Sequence, residues 1–263
     1  MKVLIFATEE EAKRQAATRI LRTIQRIPDA VLGLATGGTM EAVYTYLATE
    51  TKRHGTSWSK VTTFNLDEYW GIPADSPASY RTYMANHLFD KVDVAQSSTH
   101  VPASLGPNPD QAAAEYEQAI HASGGIDLQL LGIGKNGHIG FNEPTSSFAS
   151  KTRLKTLADD TRRANCRYFD TLEDVPKYAL TVGIGTILNA KNCLIVGTGS
   201  DKAQAVQAMI EGPISSICPA SALQLHPKTT AILDQKAAKD LKLFDYYQHV
   251  HPNGDEPEMI NAK

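Results

Sequence analysis

The stretch IDLQLLGIGKNGHIGFNEP, residues 126–144, constrains the chain most. Ile126 to Leu131 is an apolar run broken only by Asp127 and Gln129. A short run of this kind, ending in glycine, predicts a parallel strand buried on both faces. The character then changes abruptly. Gly132, Gly134, Gly137 and Gly140 surround Asn136, His138, Asn142 and Glu143, and Pro144 closes the stretch. Glycines admit positive φ and let a backbone pass close to a ligand. In an open α/β sheet, ligands bind just past the carboxyl ends of the strands. A His, a Glu and two Asn gathered there point to chemistry, since a plain surface turn needs none of them.

The rest of the chain repeats the theme. Lys2 to Phe6 reads as a first strand. Thr8 with Glu11 fits a capping box for a helix whose Ala12, Ala16, Ile20, Ile24 and Ile27 recur at helical spacing, and Pro28 ends it. Further strands are expected at 30–35, 61–66, 178–182, 193–196 and 229–233, and a short helix at 220–226. Helical patterns separate them. Asn108 and Pro109 mark one helix start. This alternation predicts one doubly wound, Rossmann-like α/β domain with a mainly parallel sheet and helices on both faces. The expected domain spans 1–245, and the polar run 246–263 is expected to be a loosely held tail.

Two strand-to-helix turns suit an anion. The second strand runs into Thr36, Gly37, Gly38 and Thr39, and the strand at 193–196 runs into Gly197, Thr198, Gly199 and Ser200 with Lys202 beyond. Converging main-chain N–H groups at a helix start favour phosphate. The first turn lacks the lysine of a Walker loop and the spacing of a dinucleotide fingerprint. A small phosphorylated ligand fits better than a nucleotide. Asp67 follows the third strand and points toward the same crevice; Glu68 beside it reads as a solvated acid or a helix cap. Arg162, Arg163 and Arg167 cluster in TRRANCRYF, the first two as a solvated face.

Composition removes several classes. The net charge is −3 and no long basic run occurs, so nucleic acid is not an expected partner. No apolar stretch approaches the roughly 20 residues of a membrane span. The start MKVLIFATEEEAK lacks the long apolar core of a secretory signal and is read as that of a cytoplasmic protein. Cys166, Cys193 and Cys218 form no CxxC pair and are read as small buried hydrophobes. No metal motif is seen, because His138 and Glu143 lack the helical spacing of a zinc pair. What remains is acid–base chemistry on a small phosphorylated molecule. On residues alone, a sugar-phosphate isomerase, a hydrolase and a binding protein all stay open.

The runs LGLATGGT, FNLDEY, GIGKNGHIGFNEP, RRANCRYF, KYALTVGIGTIL and ASALQLHP together resemble the glucosamine-6-phosphate deaminases. They occur in that family's order from residue 32 to residue 227. The related 6-phosphogluconolactonases share the fold but lack the FNEP that follows GHIG. The resemblance implies conversion of glucosamine 6-phosphate and water to fructose 6-phosphate and ammonia, without metal or organic cofactor. It implies that Asp67 moves a proton between C2 and C1, that His138 opens the ring, and that Glu143 holds and polarises His138. Thr36, Gly37, Gly38, Thr39, Arg167 and Lys202 would hold the phosphate. Many members carry Asp where this chain has Asn136, which would act beside His138 as a neutral hydrogen-bonding group. Some members are hexamers activated by N-acetylglucosamine 6-phosphate, and Arg153, Lys155 and Thr156 resemble part of that effector pocket. LGLATGGT, Asn136 and PASAL resemble the shorter, Gram-positive-type enzymes instead. The expectation is therefore a monomer without allostery, a homo-oligomer being the alternative.

Overall fold

The computed structural model describes residues 1–255. In chain order the elements are β1 (Lys2–Phe6), α1 (Glu9–Arg26), β2 (Val31–Leu34), α2 (Gly38–His54), β3 (Thr62–Asn65) and β4 (Asp67–Tyr69). Then come α3 (Tyr80–His87), β5 (Thr99–His100), α4 (Pro109–Ala122), β6 (Leu128–Gly132), β7 (Arg153–Thr156) and α5 (Asp159–Asn165). The chain continues through β8 (Tyr178–Thr181), α6 (Ile184–Leu188), β9 (Cys193–Gly197), α7 (Ala203–Ile210), β10 (Thr229–Asp234) and α8 (Phe244–Val250).

Seven strands form one parallel sheet in the order β1-β10-β9-β6-β2-β3-β5. Every residue of β2 and β9 is buried. Successive strand residues face opposite sides, so both faces of the sheet are covered. The order also locates the site. From β2 the chain moves outward through β3 and β5, then returns to β6 and moves the other way through β9 and β10. The switch point lies between β2 and β6, and a crevice opens there past the carboxyl ends.

Local chemistry explains the elements. Thr8 accepts the Glu11 main-chain N–H at 3.1 Å, and three glutamates occupy the first turn of α1. Ala12, Ala16, Ile20 and Ile24 form its buried face. Asn108 caps α4 through the Asp110 and Gln111 N–H groups. The Asp127 that breaks the apolar run joins two strands, accepting the Val31 N–H at 2.8 Å and pairing with Lys191 at 2.7 Å.

Several expectations need correction. Residues 67–69, expected only to follow the third strand, form a strand of their own. They leave the main sheet and pair antiparallel with β8, which also pairs with β7, making a second, three-stranded sheet. The strand at 178–182 thus lies outside the main sheet. The short helix expected at 220–226 is present as a 3-10 helix, Pro219–Leu225. Cys193 is buried, but Cys166 and Cys218 are only half-buried. The boundary at 246 falls inside α8. Gln248 donates to the Ile5 carbonyl at 3.2 Å, and Gly254 is buried against the Phe6 ring. Residues 246–254 are therefore docked on β1 rather than loosely held; 256–263 lie outside the described residues.

Candidate active site

A cavity of about 920 Å³ occupies the switch-point crevice. Thr36, Gly37, Gly38 and Thr39 line it from the β2–α2 turn, and Asp67 from β4. Asn136 and His138 line it from the loop after β6, Arg167 from the turn after α5, and Lys202 from the turn after β9. Nine of the ten residues expected at the site share this one space. Glu143 does not line it; its carboxylate is buried behind His138.

The anion end is built from helix starts. Gly37 takes φ 104°, which a side chain resists, and turns the chain into α2. A Cβ at Gly38 would stand 2.9 Å from Nη2 of Arg167, so the glycine lets the guanidinium approach the helix start. Arg167 stacks over the Tyr168 ring at 4.7 Å and donates to the Tyr168 hydroxyl at 2.8 Å. That hydroxyl donates to Glu41 Oε1, in the first turn of α2, at 3.2 Å. Across the cavity, Asp234 fixes the turn before Lys202 by accepting the Gly199 N–H at 3.0 Å. Burial depresses the Lys202 ammonium, Asp201 opposes this, and the Lys135 and Arg167 cations depress it further.

The loop after β6 folds back on itself. Gly134 donates to the His138 carbonyl at 2.9 Å, and the His138 N–H donates to Asn136 Oδ1 at 3.2 Å. Of its four glycines only Gly137 and Gly140 take positive φ. Gly134 is needed for space instead, because a Cβ there would overlap the His138 ring. Glu143 Oε2 accepts Asn136 Nδ2 at 2.9 Å and faces His138 Nδ1 at 3.5 Å. Burial opposes the Glu143 charge, but the His138, Thr161 and Asn136 donors outweigh it and hold the carboxyl at about 2. His138 lines the cavity, with the Glu143 carboxylate 3.5 Å from its Nδ1.

Asp67 has different surroundings. Burial, then the neighbouring Glu68 charge, pushes its carboxyl up to about 8, while the Phe141 main-chain N–H opposes the shift. Such a group is a base held near neutrality. Glu68 is a helix cap, as one of its two readings had it, but it is buried rather than solvated. Its carboxylate accepts the Tyr69, Tyr80 and Arg81 N–H groups at 2.9–3.1 Å.

Other polar groups of the sequence serve the scaffold. Asn142 is fully buried; its amide donates to the Ile139 and Val182 carbonyls and its Oδ1 accepts Arg153 Nη1 at 2.7 Å. Arg162 is committed to the Leu172 and Val175 carbonyls rather than lying on a solvated face. Thr161, which donates to Glu143 Oε1, carried no sequence signal. Neither did Tyr168, because its partner Glu41 is 127 residues away.

Residues 7–232 match the family model described as glucosamine-6-phosphate isomerases/6-phosphogluconolactonase. A relative from Hahella chejuensis named glucosamine-6-phosphate deaminase is 50% identical over 250 residues, covering 95% of each chain. One of the same name from an Arthrobacter species is 46% identical over 251 residues, covering 95% of this chain and 96% of its own. Among solved structures, a monomeric glucosamine-6-phosphate deaminase superposes with a TM-score of 0.89 at 46% identity, over 91% of this chain and all of its own. The 6-phosphogluconolactonase of Trypanosoma brucei shares the fold, with a TM-score of 0.72 at 20% identity, over 91% of this chain and 98% of its own. The chain belongs to the family of glucosamine-6-phosphate isomerases and 6-phosphogluconolactonases.

Proposed function

We propose that this chain is a glucosamine-6-phosphate deaminase, converting glucosamine 6-phosphate and water to fructose 6-phosphate and ammonia. One observation carries the reading: a buried Asp67, the His138–Glu143 pair and an Arg–Lys anion end line or back a single cavity.

The chemistry follows from the geometry. Thr36 to Thr39, Arg167 and Lys202 hold the phosphate, whose binding energy fixes the distant reacting carbons. His138 Nε2 moves a proton onto the ring oxygen as the C1 hydroxyl loses one, and the ring opens to the aldehyde. Glu143 steadies the imidazolium that forms. Asp67 then takes the proton from C2 and returns one to C1 while a proton passes from the nitrogen to O1, which turns the 2-amino aldose into the imine of the ketose. Water adds at C2, ammonia leaves, and fructose 6-phosphate remains. No step calls on a metal or an organic cofactor.

The similar monomeric deaminase supports a monomer for this chain. The engagement of Arg153 with Asn142 supports an enzyme without an effector at that surface. Among the described residues, no helix is long and apolar enough to cross a membrane. A sugar phosphate is a charged metabolite, which supports action in the cytoplasm.

The test is direct. Purified protein mixed with glucosamine 6-phosphate should release ammonia and fructose 6-phosphate in equal amounts. A protein that instead hydrolyses 6-phosphogluconolactone and leaves the amino sugar untouched overturns the reading.

A further inference from the structure

Glu143 keeps its two oxygens in different company. Oε2 serves its own loop, meeting Asn136 Nδ2 at 2.9 Å and His138 Nδ1 at 3.5 Å. Oε1 accepts the Thr161 hydroxyl, which comes from α5. Thr161 is 6% exposed and stands in the wall of the same cavity.

The path of the chain gives this contact its meaning. α5 runs without a break into the 3-10 turn Cys166–Tyr168, which presents Arg167 to the anion end and ties Tyr168 to Glu41 of α2. One short helical segment therefore touches the His138-bearing loop at one end and covers the phosphate cradle at the other. Thr161 and Arg167 are six residues apart, about 9 Å along a helix at 1.5 Å per residue. Both contacts thus belong to one continuous helical segment.

We propose that Thr161 is a positioning residue that makes the orientation of Glu143 depend on how the 159–168 segment is seated, and so on the substrate's phosphate. This rests on the deaminase reading of the site. A phosphate on Arg167 holds the segment down. The seated Thr161 hydroxyl then fixes Oε1 and leaves Oε2 turned to the imidazole. Phosphate binding energy thus reaches the ring-opening step through one hydroxyl. Without that hydroxyl, Oε1 is a buried acceptor with no donor, and the carboxylate rotates away from His138.

The experiment compares Thr161→Val, Thr161→Ser, Glu143→Gln and the Thr161→Val/Glu143→Gln double variant. Thr161→Val keeps the shape and should lower kcat about ten- to hundredfold, with KM within about twofold. Its affinity for the open-chain analogue 2-amino-2-deoxyglucitol 6-phosphate should stay within about twofold, because the cradle is intact. Thr161→Ser should recover most of kcat. The double variant should be no slower than Glu143→Gln beyond about twofold, since both changes disable one unit. If Thr161→Val does not fold, Thr161→Ala carries the same expectations. Wild-type kcat in the hydroxyl-free variant, or losses that multiply in the double variant, overturns the proposal. A wild-type protein that releases no ammonia overturns the deaminase reading instead, so the two failures are distinguishable.

Discussion

Asp67 and Glu68 are consecutive buried carboxyls, and only Asp67 opens to the cavity. Glu68 turns the other way and holds the start of α3 through three main-chain N–H groups. The pair works because a strand alternates its side chains. One face of β4 turns Asp67 to the cavity and the other holds Glu68; burial first, and the Glu68 charge second, raise the Asp67 carboxyl.

Replacing Asp67 by Asn should abolish both isomerisation and ammonia release while leaving the affinity for the open-chain phosphate analogue nearly intact. Assays for fructose 6-phosphate and ammonia check this, and substantial turnover removes Asp67 from the mechanism. The same variant carries a stability signature. Folded Asp67 stays protonated up to about 8, whereas an unfolded Asp ionises near 3.9. A raised carboxyl favours unfolding increasingly as pH climbs from about 4 to about 8. Asp67→Asn removes this cost. Its stability gain over wild type should be near zero below about pH 4 and grow steadily as pH rises toward about 8. Denaturant unfolding across that range measures it.

The pH profile of kcat/KM should show an acid limb. Asp67 must be ionised to take the C2 proton, so the rate of the free enzyme rises as pH passes its raised value of about 8. Glu68→Gln should shift this limb to lower pH by removing a neighbouring negative charge. It should also cost about 1–3 kcal/mol of stability, because the amide cannot serve all three N–H donors. A limb that stays in place shows that Glu68 does not tune Asp67.

Glu143→Gln should slow ring opening on the order of a hundredfold, since the amide cannot steady an imidazolium. The rate with the closed-ring substrate is the measurement; an unchanged rate refutes the role. Glu143 is held at about 2, so its own titration should leave no limb between pH 5 and pH 9.

At the anion end, Gly38→Ala should raise KM about tenfold with little change in kcat. The added methyl would meet the Arg167 guanidinium at 2.9 Å and push it off the helix start. Arg167→Ala should raise KM further. Initial rates across substrate concentration distinguish the two. A fall in kcat at constant KM contradicts a role confined to phosphate binding.

Arg153→Ala should leave the buried Asn142 Oδ1 without a donor, costing about 1–3 kcal/mol and lowering Tm by a few degrees. Because Arg153 serves the scaffold, wild-type saturation should be hyperbolic and indifferent to N-acetylglucosamine 6-phosphate. A sigmoid curve relieved by that ligand overturns this expectation.

Much of this molecule was legible in one dimension. Strands buried on both faces must be continuous apolar runs, so VLGLA, IDLQLL and CLIV announced a parallel sheet. The glycine-rich turns announced where a backbone meets a ligand, and Asp67, His138 and the TGGT turn were visible because each stands at a strand end. The tertiary structure decided what those residues touch. Residues 67–69 look like a strand end, and only their pairing with β8 sends Asp67 and Glu68 to opposite sides. Asn142 and Glu143 are neighbours of equal polarity, yet one clamps the loop and the other backs the imidazole. Thr161 meets Glu143, and Tyr168 meets Glu41, across 18 and 127 residues. Local sequence encodes period and turn chemistry, because those act over a few residues. Hydrogen bonds between distant segments are set by the packing of the whole chain.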